Sequence, residues 1–406
     1  MSPELILLAL VVVTALAFDF TNGFHDTANA MAASIATKAL TPKTAVALCA
    51  SLNLVGALLS VEVALTVTNA VINLQNPDGT PKPELVADGG DKILLILLAA
   101  LAGAIIWNLA TWLWGLPSSS SHALFGGLIG ATLAGLGWGG VRWVGADGKL
   151  DGVIGKVIIP ALMSPAIAMI VAMVGTHFVF KVAASLTEKY RTSGFRWGQV
   201  GAASLMSLSH GTNDAQKTMG VITLALIASG QWTDTHAVPL WVKLACGFTI
   251  ALGTYLGGWR IIRTMGKGLV EIEAPQGMSA DMSSAAVILA SSQLGFALST
   301  THVATGSILG SGVGRPGAQV RWGVAGRMAS AWLTTLPSAG AVAALMFVIG
   351  NALGAGYGSA VIVLLLCGAA TYMFVHSRKE PIGHHNVNDE WDDAKKKKQK
   401  QPEVSV

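Results

Sequence analysis

Two polar phrases in this chain sit where a carboxylate has little reason to be, inside long apolar runs. Asn22-Gly23-Phe24-His25-Asp26-Thr27-Ala28-Asn29 is matched by His210-Gly211-Thr212-Asn213-Asp214-Ala215-Gln216-Lys217. A second pair follows: Ser119-Ser120-Ser121-His122-Ala123 and Ser299-Thr300-Thr301-His302-Val303. The two aspartates are 188 residues apart and the two turn histidines 180. Offsets this similar mean two copies of one unit, the pattern of a duplicated fold with a site where the copies meet.

The chemistry of the two pairs is opposite in sign. Asp26 and Asp214, with the amide oxygens of Asn22, Asn29, Asn213 and Gln216, offer the all-oxygen surroundings that a hard cation such as Na⁺ takes; a proton could instead ride on Asp26, Asp214 or His25. Gly23 and Gly211 are expected to loosen the helix just before each aspartate and to free backbone carbonyls for the same ion. The Ser/Thr-His turns favour an anion. Helices restarting at Ala123 and Val303 present free N–H groups and the positive end of a dipole, and Ser120, Ser121, Thr300 and Thr301 add hydroxyl donors. The bland alternative there is ordinary N-capping. His122 and His302 are expected to orient the turns or line a cavity. Asp19, Glu62 and Lys217 also fall at presumed membrane depth, where each charge costs about 2.5–3.5 kcal/mol. Lys217 lies one turn after Asp214, so a buried ion pair competes with a functional role.

The elements that position these residues follow from composition. The chain has 406 residues, 52% hydrophobic and 12% charged, against roughly 25% charged in a soluble domain. Residues 1–375 keep only 19 basic and 16 acidic side chains, about 9%. That excludes a nucleic-acid binder, a secreted disulfide scaffold and a disordered chain, and points to a polytopic helical membrane protein. Cys49, Cys246 and Cys367 lie in apolar runs with no metal-binding spacing. The run from Leu5 to Phe18 has no basic residue before it and leads into a polar motif, so it reads as a span and not as a signal peptide.

Apolar runs of spanning length lie at about 4–37, 43–73, 92–116, 153–180, 198–229, 238–260, 281–298, 322–350 and 357–376, with shorter pieces at 122–138 and 302–313. The expected class is all-α, with two inverted-topology repeats, broken helices and Ser/Thr-His helical hairpins. The first repeat is expected over 1–180, a cytoplasmic linker over 181–197, the second repeat over 198–350, an extra helix within 351–376 and a polar, solvated tail over 377–406. An odd number of crossings per repeat puts the N-terminus outside and gathers the basic clusters on the cytoplasmic side: Lys38 and Lys43; Lys181, Lys189, Arg191 and Arg196; Arg260, Arg263 and Lys267; Arg315 and Arg321. The acidic loop at 74–91 then reads as external. Gly126/Gly130, Gly253/Gly257, Gly306/Gly310 and Gly350/Gly354 have the spacing of close helix packing.

With these motifs in view, the chain resembles the inorganic phosphate transporter (PiT) family. The likeness rests on the duplicated aspartate motif, on the two turns with Gly126 and Gly306 after them, and on Gly257-Gly258-Trp259-Arg260, and it covers about 1–376. The resemblance implies a secondary transporter working by alternating access, with the hairpins as gates. By it, the coupling cation, H⁺ or Na⁺, would sit at Asn22, His25, Asp26, Asn213 and Asp214. Phosphate would be held by Ser119, Ser120, Ser121, Ser299, Thr300 and Thr301, with Asn29, Gln216 and Lys217 beside them. His25 replaces a motif asparagine and the second copy ends Gln216-Lys217, variants similar to bacterial low-affinity permeases, which favours H⁺ and admits a metal–phosphate complex as substrate. No fixed metal or cofactor is expected; the partners are inorganic phosphate and the bilayer, with a homo-oligomer open and no nucleic acid. A permease for another oxyanion such as sulfate is the nearest rival. An intramembrane hydrolase lacks a G-x-S-x-G elbow and an H-E-x-x-H helix, and a passive channel would ignore ion gradients.

Overall fold

In a computed structural model of the protein, residues 3–64, 67, 71–72, 90–145, 152–234 and 237–389 are described. They fold almost wholly as helix: α1 (Pro3–Ala36), α2 (Pro42–Ala57), α3 (Asp91–Leu113), α4 (Ser120–Leu136), α5 (Ile159–Ala183), α6 (Glu188–Ala228), α7 (Leu240–Leu256), α8 (Trp259–Arg263), α9 (Ala274–Gln293), α10 (Thr300–Val313), α11 (Trp322–Ala352) and α12 (Ala355–Ser377). Among the described residues five helices are long and apolar enough to cross a membrane, and Leu240–Leu256 with Trp259–Gly268, bent by 60°, has the composition of a further broken span or a re-entrant loop. Helix α6 has 41 residues but is more polar along its length, opening on Glu188, Lys189, Arg191 and Arg196 and carrying its aspartate motif in the middle.

The helices that carry matching motifs pack in matching pairs. Helix α1 packs on α7 as α6 packs on α2; α3 joins α1 as α9 joins α6; α4 lies on α11 as α10 lies on α5. Each half thus completes the other. Of the four expected pairs, Gly126/Gly130 and Gly306/Gly310 make close crossings, whereas Gly257 and Gly354 take left-handed φ of 73° and 77° at helix ends. A Cβ at Gly126 or Gly130 would run into the backbone of Leu336 or Gly340 on α11, and one at Gly306 or Gly310 into Pro165 or Met169 on α5. Gly130→Ala and Gly310→Ala should therefore each cost about 1–3 kcal/mol through overpacking, seen as a lower unfolding temperature in detergent; an unchanged temperature would show that the crossings are loose.

The helical hairpins are present, and their turns are equivalent. Gly115 and Gly295 both have left-handed φ, 64° and 67°, which a glycine supplies without a Cβ clash. The chain then resumes as helix after Ser119 and Ser299.

Four expectations need correction. The helix is not broken at either aspartate motif: α1 and α6 run through Asp26 and Asp214 without interruption. Gly23 and Gly211 serve contact, since the backbone of Ile250 lies against one and that of Asn53 against the other. The Gly23 carbonyl is taken by the Thr27 hydroxyl at 2.7 Å. The linker is shorter than 181–197, as α5 runs on to Ala183 and α6 begins at Glu188. The run at 43–73 is not one helix, because α2 stops at Ala57. The tail does not leave the protein at 377: Arg260 donates to the Ser377 carbonyl at 2.9 Å, His384 packs near Trp259, and Val387 is buried in the same apolar cluster as Ile261. The acidic part of the loop at 74–91 and the Lys-rich end of the tail lie outside the described residues.

Candidate functional site

Residues seven apart on a helix share a face, and so do residues three or four apart. On α1 this rule aligns Asp19, Asn22, Asp26 and Asn29; on α6 it aligns His210, Asp214 and Lys217. These two stripes meet the starts of α4 and α10, and all their members are buried.

Each aspartate is held by the turn of its own repeat. Ser120 donates its hydroxyl to Asp26 Oδ1 at 3.1 Å, and Thr300 donates to Asp214 Oδ2 at 2.9 Å. These are equivalent residues making equivalent bonds. The next stripe positions then cross over. Asn29 Nδ2 donates to the hydroxyls of Thr300 and Thr301 at 3.2 and 3.1 Å. Its counterpart Lys217 donates to Ser121 Oγ at 2.5 Å, to the Leu298 carbonyl at 3.0 Å and to Asp214. The cation-favouring and anion-favouring motifs are thus parts of one buried cluster spanning both repeats.

Beside Asp26 the His25 Nδ1 lies 2.6 Å from Oδ1, and its Nε2 lies 3.3 Å from Thr111 Oγ1, which pairs with Ser118 Oγ at 2.7 Å. Beside Asp214 the His210 Nε2 lies 2.9 Å from Oδ2. Asp26, His210 and Asp214 bring one ligand atom each within 4.8 Å of one another, a spacing that can hold a cation between the repeats. The two turn histidines face each other, with ring centroids 4.6 Å apart at 70°, and His302 also packs on Trp332 at 4.2 Å. They tie the hairpins together at the point where the halves meet.

Several expected residues do other work. Ser119 and Ser299 are N-caps: their hydroxyls accept from the His122 and His302 amides at 3.1 and 3.2 Å. Gln216 faces away from the cluster, accepting from the Val63 and Ala64 amides at 2.8 and 3.2 Å and donating to the Thr212 carbonyl. Asn213 reaches α9, donating to Ser292 at 2.9 Å. Glu62 is exposed, beyond the end of α2 and outside the cluster. Asp19 and Asn22 are buried on the α1 stripe, away from the turns; Asp19 accepts from Thr218 at 2.9 Å. The sequence reading did not single out His210, Thr111, Ser118 or Asn53, whose Oδ1 lies 3.2 Å from His210 Nδ1. For His210 the signal was there, four residues before Asp214 on the same face.

A model of the family described as "Phosphate transporter family" matches residues 22–343. The chain belongs to that family. It is 55% identical over 394 residues to a "Probable low-affinity inorganic phosphate transporter" of Mycobacterium tuberculosis (strain ATCC 25618 / H37Rv), covering 97% of this chain and 89% of that protein. A protein of the same description from Bacillus subtilis (strain 168) is 40% identical over 347 residues, 86% of this chain and 98% of that one. The fold is shared with a solved structure described as "The sodium-dependent phosphate transporter", at TM-score 0.71 and 20% identity, covering 86% of this chain and 100% of that chain. Family membership makes this protein a multi-pass membrane transporter in phosphate transport and not an enzyme. The buried cluster lies within the matched region.

Proposed function

We propose that this protein imports inorganic phosphate together with protons, alternating access between two inverted halves around the cluster of Asp26, Asp214 and the two hairpin turns. Phosphate binds at the starts of α4 and α10, using the hydroxyls of Ser120, Ser121, Thr300 and Thr301 and the helix-end amides. Asn29 and Lys217 belong to the same subsite, and Lys217 supplies its fixed positive charge. The N-terminus lies outside and the basic loops lie in the cytoplasm.

The observation that carries the choice of proton is the position of Lys217. Its ammonium takes Asp214, a hydroxyl and the Leu298 carbonyl at a helix break, the oxygens that a coupling cation in the second repeat would take. A tethered cation there leaves no need for a mobile one. In the first repeat the matching aspartate has, among the described residues, no tethered cation and is paired with the imidazole of His25, a side chain type used as a proton shuttle. The sodium-dependent neighbour keeps Na⁺ coupling as the second reading, and metal–phosphate is the alternative form of the substrate.

The deciding experiment is uptake of labelled phosphate into proteoliposomes under an imposed proton gradient or sodium gradient. Accumulation with the proton gradient alone supports the proposal; accumulation with sodium alone overturns the choice of ion, and preference for sulfate overturns the choice of substrate. Ser121→Ala and Thr301→Ala should each weaken phosphate by about 10- to 100-fold, the worth of a hydrogen bond to a charged group, with a smaller change in dependence on the driving ion. Equal losses for both would place these hydroxyls at the cation instead.

A further inference from the structure

The central cluster does not absorb Asp19. It lies seven residues before Asp26 on the same face of α1, about 10 Å nearer the helix N-terminus. It is fully buried, and among the described residues Thr218 supplies its one hydrogen bond, to Oδ1. Its Oδ2 has no donor among the described residues. Asn22, one turn on and 2% exposed, has an Oδ1 that is also without a donor. Two buried acceptors on neighbouring stripe positions lack a donor, and unmet groups of this kind cost about 1–3 kcal/mol each.

We infer that Asp19 takes up the coupling proton and holds it against Asn22, on the N-terminal side of the central cluster. A proton on Asp19 Oδ2 turns an orphan acceptor into an O–H donor, and an i,i+3 neighbour is within reach of it. One proton thus satisfies both oxygens. A hard metal cation fits less well, since such ions gather about six or more oxygens and Asp19 and Asn22 offer two unpartnered ones. The surroundings supply the coupling. Asp214 on α6, itself bound to Lys217, and the Cys246 thiol on α7 are the titratable groups close enough to interact electrostatically with Asp19. Helix α3 has no titratable side chain between Ile93 and Leu113. An ionised Asp19 therefore adds an uncompensated negative charge near the paired Asp214 and opposes an incoming anion, while the neutral acid admits it. The proton then moves along the stripe toward Asp26 and His25. It is gained and released as a proton only, and no electron moves.

This inference rests on the proton-coupled reading above, and the test separates the two. Wild type and Asp19→Asn are reconstituted in proteoliposomes, and two quantities are measured with inorganic phosphate as probe: counterflow of labelled phosphate at equal pH, and accumulation driven by an imposed pH gradient with proton entry followed by a trapped dye. The asparagine amide gives Asn22 a permanent donor but carries no proton. The expected result is counterflow within about threefold of wild type, gradient-driven accumulation at least tenfold lower, and no proton entry. Asp19→Glu should recover accumulation. Asp19→Asn that still accumulates phosphate with proton entry overturns the inference. Loss of counterflow in folded Asp19→Asn also overturns it, by making Asp19 part of the phosphate site. Wild type that shows counterflow but accumulates only under a sodium gradient overturns the proton reading itself.

Discussion

Asp214→Asn will destabilise the protein by about 3–5 kcal/mol, the cost of leaving one member of a buried ion pair alone, and adding Lys217→Gln will restore most of that loss. Lys217 is 1% exposed, and Asp214 is its charged partner. Ser121 and the Leu298 carbonyl satisfy the other two ammonium protons, but neither carries charge. With Asp214 neutralised, an ammonium remains in an interior where charge is costly. Gln at 217 removes that charge while keeping a donor for Ser121. Thermal unfolding of the four proteins in detergent closes the cycle, and a favourable coupling well above 1 kcal/mol is expected. A single mutant as stable as wild type would mean that the pair is not an ion pair. Transport separates stability from function, because the double mutant should stay folded and fail to accumulate phosphate.

How far the sequence reveals this arrangement can be judged residue by residue. Asp26, Asp214 and the Ser/Thr-His turns stand out because an apolar helix has no other use for them, and their repetition marks a shared role. What the chain does not display is which helix faces which. Nothing local says that Asn29 reaches the turn 271 residues away while Ser120 stays with its own aspartate. Gln216 misleads for a physical reason: two residues beyond Asp214 is about 200° around the helix, which turns it to the opposite side, onto the chain after α2. His210 is the converse case, on the right face by periodicity and hidden by a motif whose first copy has Asn22 there. Ser119 and Ser299 look like ligands because a cap and an anion site use the same atoms. The continuity of α1 and α6 was also hidden. A mid-helix glycine costs about 1 kcal/mol relative to alanine, but at Gly23 and Gly211 it lets a neighbouring helix approach to backbone contact, and that contact is tertiary.

Asp26→Asn should behave in the opposite way to Asp214→Asn, although the two aspartates are related by the repeat. Among the described residues no lysine pairs with Asp26; its hydrogen-bonding neighbours are His25 and the Ser120 hydroxyl, and both can adjust to a neutral partner. The imidazole can change its proton and the hydroxyl can still donate to the amide oxygen. Stability should therefore fall by only about 0.5–1.5 kcal/mol, the net worth of one hydrogen bond. Accumulation of phosphate should fall to background, because an asparagine can neither carry a proton nor supply the negative charge facing His210 and Asp214 across the 4.8 Å cluster. Unfolding temperature and uptake measured on the same preparation test both halves of the claim. If Asp26→Asn accumulates phosphate normally, the cation path does not pass through the first repeat. If it unfolds as readily as Asp214→Asn, the asymmetry assigned to Lys217 is wrong, and both repeats depend equally on a charged pair.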